Sequence, residues 1–140
     1  MRLRIVTPLS VVVDAQVDSL RAEDASGSFG ILPGHAPFLT ALAISIVSWR
    51  QDDTEQFCAL RGGVMTVGRG DDHDTVVDIA TREAVAGDDL AVLDKQVLAR
   101  FQSDEDAERE EHVETVRVQL HAIRRMISRL KTGANTGEFL

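Results

Sequence analysis

Cysteine, proline and aromatic residues are scarce in this sequence. Its 140 residues contain one cysteine, three prolines and no tyrosine. A single cysteine excludes an internal disulfide, and Cys58, which lies in the apolar run 57–60, is predicted to be a buried structural thiol rather than a nucleophile. The aromatic share of 4% and the net charge of -8 disfavour base stacking and contact with a phosphate backbone. The composition therefore argues against nucleic acid as a partner.

Long apolar runs and catalytic motifs are also missing. No stretch approaches the roughly 18 apolar residues of a membrane-spanning helix, and the start of the chain lacks the apolar run of a secretory signal. We therefore expect a cytoplasmic protein with no direct membrane span. No HExxH, CxxC, Walker or GxSxG pattern occurs, so no catalytic, metal-binding or cofactor-binding residue is assigned, and the chain is predicted not to be an enzyme on its own.

The histidines do not form a predicted metal site. His112 and His121 are nine residues apart on a predicted helix, so they face different directions. His73 lies in the acidic run 71–74 and is predicted to occupy a solvated hairpin turn.

Residues 1–85 have the pattern of an all-β domain. Short β-branched runs with a period of two are separated by turns that contain glycine and proline. All three prolines lie in this part of the chain. The strand candidates are Leu3 and Ile5, Val11 and Val13, Ile44 and Ile46, Val64 and Val67, and Val76 to Ile79. We predict an N-terminal antiparallel β-sandwich.

Residues 88–133 have a helical pattern instead. A short first helix is indicated by apolar residues at spacings of three, four and four, namely Leu90, Leu93, Val97 and Phe101. Ser103 is a predicted N-cap of a second helix that ends near Gly133. The predicted fold class is therefore β + α, with the sandwich followed by a helical hairpin or an extended helical tail. Residues 134–140 are predicted to be a flexible C-terminus.

The second predicted helix carries a regular apolar seam. Its six members alternate spacings of three and four residues, as in a heptad repeat: Val113, Val116, Leu120, Ile123, Ile127 and Leu130. Each would forgo about 1.5–3 kcal/mol if left exposed. The seam is therefore predicted to pack either on the preceding helix, as a hairpin, or in a groove of another subunit.

Charge is segregated along the same helix. Residues 104–114 contain seven acidic residues and one arginine, whereas residues 117–131 contain four arginines, one lysine and no acid. Acids near the start and bases near the end of a helix compensate its dipole. Alternatively, the basic end docks on an acidic surface of a partner, because arginine forms forked bonds with carboxylates.

The segment Gly27 to Thr40, with the sequence GSFGILPGHAPFLT, is the most distinctive in the chain. It combines stiff prolines and flexible glycines with apolar residues, and it lies between strand candidates. From residue chemistry alone, we interpret it as a well-packed turn in which His35 is hydrogen-bonded, because no catalytic partner for His35 lies nearby in the sequence.

This segment resembles the GxxGIxPGHAPxxT signature of the epsilon subunit of F-type ATP synthases, the subunit called delta in mitochondria. The resemblance extends to Leu3–Pro8 and to Gly62–Val67, and so covers roughly residues 1–85. That family joins an N-terminal β-sandwich to a C-terminal helical pair. The tail of this chain is similar to the family in plan rather than in residues, which suggests a divergent bacterial branch.

The resemblance implies a rotor subunit of the central stalk, which couples ion translocation to ATP synthesis. Such a subunit is peripheral, on the cytoplasmic face of the bacterial plasma membrane, within the F1 sector. Residues 1–85 would bind the gamma subunit and the ring of c subunits. Contact with the c ring would come from Ser28, Gly30, Ile31 and His35.

The resemblance also implies a regulatory role for residues 88–133 as a two-helix tail. In the family this tail can block ATP hydrolysis by contacting the alpha and beta subunits, and the matching contact to beta would come from Arg117, Arg124, Arg125 and Arg129. Several bacterial members bind ATP through an Ile/Leu-Asp-x-x-Arg-Ala motif. Here Leu93 and Asp94 are followed by Lys95–Leu98, without the arginine and alanine, so no nucleotide-binding residues are assigned.

A second hypothesis comes from the apolar seam alone. A free-standing adaptor or chaperone-like module could dimerise through this seam. Co-purification with ATP synthase subunits, or isolation as a homodimer, distinguishes the two hypotheses.

Overall fold

The computed structural model describes the backbone of residues 1–138 and the side chains of residues 1–130. Eight strands are followed by a continuous helical run. The strands are β1 (Arg2–Val6), β2 (Val11–Gln16), β3 (Ser19–Asp24), β4 (Gly27–Ile31), β5 (Phe38–Gln51), β6 (Thr54–Arg69), β7 (Thr75–Ala80) and β8 (Ala84–Gly87). The predicted β-sandwich followed by a helical tail is confirmed.

Two long strands are shared by the two layers of the sandwich. β5 and β6 pair along most of their length. The first half of β6 pairs with β8 and its second half with β7, while the last part of β5 pairs with β3. The strand order is β2-β1-β7-β6-β5-β3-β4, with β8 on the other half of β6. Strands that pass from one layer to the other need a bend, and the change of partner on β6 falls at Gly62 and Gly63.

The core lies between the two layers. It contains alternate residues of each strand, among them Leu3, Ile5, Leu20, Val47, Leu60, Met65, Val77 and Ile79, all at most 3% exposed. Cys58 belongs to this core, and burial raises the pKa of its thiol to about 12. The prediction of a buried thiol is confirmed. The indole Nε1 of Trp49 is buried without a hydrogen-bond partner among the described residues.

Two details of the sheet differ from the prediction. β1 pairs with β7 in parallel, although the remaining pairs are antiparallel. The segment Gly27–Thr40, interpreted as a loop, begins with the strand β4 and ends inside β5. Local sequence did not indicate β4 because glycine weakens strand propensity, and the strand exists through its pairing with β3.

The helical run is continuous from Leu90 to Glu138. It begins with α1 (Leu90–Val92), continues through a π-helical turn (Leu93–Leu98) and becomes α2 (Ala99–Glu138). Asp89 caps the start, because its Oδ1 accepts a hydrogen bond from the Ala91 amide at 3.0 Å. This arrangement is the extended alternative of the predicted fold class, not the hairpin.

Two predicted helix boundaries are corrected by this continuity. Ser103 lies inside α2 and does not cap a second helix. A serine inside a helix costs only a few tenths of a kcal/mol relative to better helix formers, and the residues that follow it favour helix. The backbone also remains helical past Gly133, to Glu138. Of the predicted flexible C-terminus, residues 139 and 140 lie outside the described residues.

The start of the helical run packs on the sheet. Leu93 and Phe101, at 4% and 0% exposed, form a second cluster with Ala59 on the outer face of β5, β6 and β8. The chain accordingly divides into two compact units, residues 1–102 and 103–140. The first helical turns therefore belong with the strands, whereas the sequence placed the boundary between residues 85 and 88.

Candidate interaction surfaces

Hydrogen bonds hold the turn between β4 and β5. Gly34 has a φ of +86°, a left-handed conformation that glycine adopts without strain. Its amide donates a hydrogen bond to Thr75 Oγ1 at 2.7 Å, which ties the turn to the start of β7. The His35 amide donates to the Leu32 carbonyl at 3.1 Å and closes the turn itself.

The His35 ring is also fixed in place. Its Nδ1 lies 2.7 Å from the Ala36 carbonyl, and because a carbonyl oxygen only accepts, Nδ1 carries the proton and donates. The ring stands edge-on to Phe38 with centroids 5.9 Å apart, and Phe38 in turn contacts Phe29 at 5.7 Å. The predicted hydrogen bond of His35 is confirmed, whereas most of the turn around it is exposed rather than well packed.

The four residues predicted to contact the c ring are not equivalent. Ser28 and Gly30 are exposed, and they alternate with the half-buried Phe29 on β4, so both point to the outer face. His35 is half-buried. Ile31 is 1% exposed and belongs to the core, so its side chain can only support the surface from beneath. The next residue, Leu32, is 63% exposed.

An exposed apolar patch crosses five strands on the other outer face of the sandwich. One row of paired residues runs from Val11 through Val6, Ala80 and Val64 to Ala41. Leu39 extends the row, because it lies two residues from Ala41 on the same strand. We call these six residues the outer patch. Leu39, Val11 and Val64 are 68%, 51% and 48% exposed. Single exposed apolar residues are normal on a protein surface, whereas a large contiguous patch marks an interaction site.

A groove of about 470 Å³ adjoins the outer patch. Its lining combines patch residues with the turn after β1 and the end of β7: Val6, Thr7, Pro8, Arg61, Gly63, Ala80, Thr81 and Arg82. Leu9, beside this turn, is 96% exposed. This surface was not predicted from the sequence, although one signal was present: Val64 is apolar at an outward position next to the inward-facing Met65.

The carboxylate of Asp24 links the turn between β3 and β4 to β5. The Asp24 carboxylate accepts hydrogen bonds from the Ser26 amide at 2.9 Å and from Thr40 Oγ1 at 2.7 Å. Hydrogen bonds from the Ser26 hydroxyl and from Thr40 stabilise the charged form and lower the pKa of Asp24. The turn is therefore linked to β5 through one carboxylate.

The helix α2 presents the apolar seam and the arginines to solvent. The six seam residues are between 38% and 70% exposed. Arg117, Arg124, Arg125 and Arg129 are all exposed as well. Helical geometry separates them: Arg117 and Arg124 border the seam, whereas Arg125 and Arg129 lie on the opposite side of the helix. The predicted inhibitory residues thus form two pairs with different surroundings.

The residues that correspond to the family's nucleotide-binding motif, Leu93–Leu98, form the π-helical turn. Leu93 is buried against the sheet and Asp94 is exposed.

Among the described side chains, no group of three or more potential metal ligands occurs. Within the described residues, no helix is long and apolar enough to cross a membrane.

Comparisons with known proteins agree with the fold. Residues 1–87 match the family model described as ATP synthase, Delta/Epsilon chain, beta-sandwich domain. Among solved structures, the chain is similar to a chain of the mitochondrial ATP synthase of Euglena gracilis, solved as OSCP/F1/c-ring. The TM-score is 0.52 with 24% identity, over 60% of this chain and 51% of that chain.

Curated relatives extend the match to the helical part. The ATP synthase epsilon chain 2 of Paraburkholderia xenovorans is 43% identical over 133 residues, which cover 94% of this chain and 93% of that protein. The ATP synthase epsilon chain 2 of Cereibacter sphaeroides is 39% identical, over 93% of this chain and 88% of that protein. With the strand unit matched by the family model and nearly the whole chain matched by these relatives, this protein belongs to the delta/epsilon chain family of ATP synthase.

Proposed function

We propose that this chain is a non-catalytic rotor subunit in the central stalk of an F-type ATP synthase, where it couples ion translocation to ATP synthesis. The observation that carries the proposal is the match to epsilon chains over 94% of the sequence. A dense sandwich core suits a part that transmits torque, because packed interiors resist compression. The subunit is peripheral, on the cytoplasmic face of the bacterial plasma membrane.

The outer patch is the proposed binding surface for the gamma subunit. Leu39 and Val64 are large, apolar and exposed, and they lie on the paired strands β5 and β6. Interfaces place such residues at their centre and surround them with polar groups. Here Arg2 and Asp14, an exposed ion pair at 2.9 Å, lie on the same face beyond the patch. The patch thus has the anatomy of an interface core with a polar rim.

The β4 edge and the following turn are the proposed contact with the c ring. Ser28 and Gly30 have small or absent side chains, so a partner backbone can approach β4 closely. The hydrogen bond from Gly34 to Thr75 joins the turn that carries His35 to the start of β7. In this proposal Ile31 acts from the core, by anchoring the segment that carries the contacts.

The tail is the proposed inhibitory element, through contact with acidic segments of the beta subunits. The apolar seam supplies buried area, and the arginines supply forked bonds to carboxylates. Arg117 and Arg124 are the stronger candidates of the four, because they border the seam and would be desolvated with it. Arg125 and Arg129 would remain nearer to solvent, where an ion pair contributes less.

The seam alone also suits a homodimer, but its charges disfavour one. Antiparallel pairing centred on the seam would bring residues 113–130 of two copies together. In each copy Arg117 and Arg124 border the seam, whereas Arg125 and Arg129 lie on the opposite side of the helix. Like charges along the edges of a helical pair oppose association. An acidic partner surface therefore suits the seam better than a second copy.

Co-purification tests the proposal. Affinity-tagged chain, expressed in its host and extracted from membranes in mild detergent, should elute with the gamma, alpha and beta subunits. Val64→Asp should lose gamma, because it buries a charge in the interface core. Thr54→Asp adds the same charge at the exposed first residue of β6 and should retain gamma. Elution of the wild-type chain as an isolated homodimer would contradict the proposal.

A further inference from the structure

A groove of about 570 Å³ lies on the outer face of β3, β4 and β5, on the opposite side of the sandwich from the outer patch. Three of its lining residues, Leu20, Ile31 and Trp49, have side chains in the core, so they form its floor. Sites for small molecules are clefts of about 300–1,000 Å³ that combine apolar walls with a few polar groups. The groove has the size of such a site.

Two arginines stand together in this groove. Arg21 and Arg50 are exposed, and each follows a buried residue of its strand, so both side chains point outward. Arg21 pairs with Ser48, and Arg50 pairs with Ser19. The two arginines are therefore diagonal neighbours on one face, with Cα atoms about 7–8 Å apart. Like charges at this separation repel each other, and an anion shared between them removes the repulsion.

Neither guanidinium is neutralised within the chain. Among the described side chains, Arg21 and Arg50 form no hydrogen bond or ion pair, although Glu55 stands opposite Arg50 in the β5–β6 register. By contrast, Arg2 and Arg100 each have a carboxylate partner, Asp14 and Glu83 respectively, within 3 Å. Two unpaired guanidinium groups thus line one groove of a chain whose net charge is -8.

The groove offers more hydrogen-bond donors than one carboxylate accepts. Two guanidinium groups present two N–H donors each when they bind in forked geometry, and the lining adds the hydroxyls of Ser19 and Ser48. A carboxylate has two oxygens and one charge. A phosphate monoester has three terminal oxygens and about 1.5 to 2 negative charges at pH 7. The donor set therefore fits a phosphate group better.

We propose that this groove binds a small phosphorylated organic molecule that carries hydroxyl groups. Arg21 and Arg50 bind the phosphate. Glu55 is the one acid among the lining residues that the structure describes. It repels a phosphate at its own end of the groove and accepts hydrogen bonds from the hydroxyls of the ligand. Leu32, which is 63% exposed, packs on the carbon skeleton. This inference concerns the isolated chain and does not depend on the proposed role in ATP synthase.

Calorimetric titration of the purified full chain tests the site, with glucose 6-phosphate as the probe. The probe should bind with a dissociation constant of about 1 mM or below in about 0.1 M salt, and glucose should not bind. Arg21→Ala and Arg50→Ala should each weaken binding about tenfold or more, because each removes charge-assisted hydrogen bonds. The matched control is Arg69→Ala, which removes an exposed arginine outside the groove and should bind like wild type. Absence of saturable binding, or an equal loss in Arg69→Ala, would overturn the proposal.

Two conservative variants separate the roles of the charged residues. Arg21→Lys keeps the charge but loses the fork, so it should bind the probe more weakly than wild type and more tightly than Arg21→Ala. Glu55→Gln removes a repulsive charge, so it should strengthen the binding of inorganic phosphate about twofold or more. It should strengthen the binding of glucose 6-phosphate less, because the hydroxyls lose a charged acceptor. Equal strengthening for both ligands would show that Glu55 does not bind the hydroxyls, and the proposed ligand class would be wrong.

Discussion

Gly63 and Ala80 approach so closely that a Cβ on Gly63 would stand 2.4 Å from the Ala80 carbonyl oxygen. Gly63 also has a φ of +137°, which residues with a side chain rarely adopt. The two residues are near neighbours on β6 and β7, where β6 changes partners between the layers. Glycine is therefore required here by both the backbone conformation and the contact across the strands.

Gly63→Ala should lower the free energy of unfolding by about 3 kcal/mol, since it adds backbone strain and a steric clash. Urea unfolding followed by Trp49 fluorescence measures the change. Gly68→Ala is the matched control on the same strand, because a Cβ there would meet no atom within 4 Å. Equal stability of the two variants would contradict the assignment.

Acid should loosen the β3–β4 turn through Asp24. Its pKa is lowered in the folded chain, so the stabilisation is present above the ordinary carboxyl pKa and is lost as the pH falls through the lowered value. Asp24→Asn should reduce the thermal midpoint near neutral pH and flatten its dependence on pH below about 4. Thermal melts from pH 2 to 7 measure this. Thr40→Val, which removes one donor and keeps the carboxylate, should give a smaller shift.

Cys58 should resist alkylation in the folded protein. Because burial raises its pKa to about 12, almost no thiolate exists at pH 8, and the side chain is also 0% exposed. Iodoacetamide should modify the native chain at least about a hundredfold more slowly than the urea-unfolded chain. Mass spectrometry of timed samples gives the two rates. Rapid labelling of the native chain would show that the core opens locally.

The boundary of the strand unit predicts how the tail can be removed. A chain that ends after Gln102 keeps Leu93 and Phe101 on the sheet, so it should fold and assemble, and the assembled enzyme should hydrolyse ATP about fivefold faster or more. A chain that ends after Gly87 uncovers Ala59 and its neighbours and should be destabilised by about 3 kcal/mol or more. Thermal melts and ATPase assays of the assembled complexes measure both effects.

The two arginine pairs should differ in the same assay. Arg117→Ala with Arg124→Ala removes the charges that border the seam, and it should relieve inhibition more than Arg125→Ala with Arg129→Ala. Both double variants lose two charges from one exposed helix, so bulk electrostatics cannot explain a difference between them. Equal activities, with no gain over wild type, would mean that the arginines serve only to compensate the helix dipole.

Periodicity in the sequence identified both structural classes because each depends on local spacing. The alternation around Leu3 and Ile5 and the heptads from Val113 to Leu130 are visible without tertiary information. The parallel pairing of β1 with β7 is not, since it joins residues more than seventy positions apart. The strand β4 was missed for a related reason: two of its five residues are glycine, and pairing with β3 supplies what propensity does not.

The candidate surfaces were predictable to different degrees. The segment carrying Ser28 and His35 was found through its glycines and prolines, but burial of Ile31 depends on how β4 pairs with Leu20 in β3. The outer patch depends on register across five strands, and no single strand reveals it. The π turn was not predicted, because the apolar spacing of Leu93, Val97 and Phe101 is that of an ordinary amphipathic helix.

The pairing of β1 with β7 also affects how the chain is synthesised. Val76, the partner of Arg2, leaves the ribosome long after the first strand, and at about 5 to 20 residues per second the delay amounts to several seconds. During that time the β1–β2 hairpin has an open edge beside β1 that another nascent chain can pair with. We therefore expect ribosome-associated chaperones to bind the first sixty residues during translation, and soluble yield to fall when translation outpaces their supply.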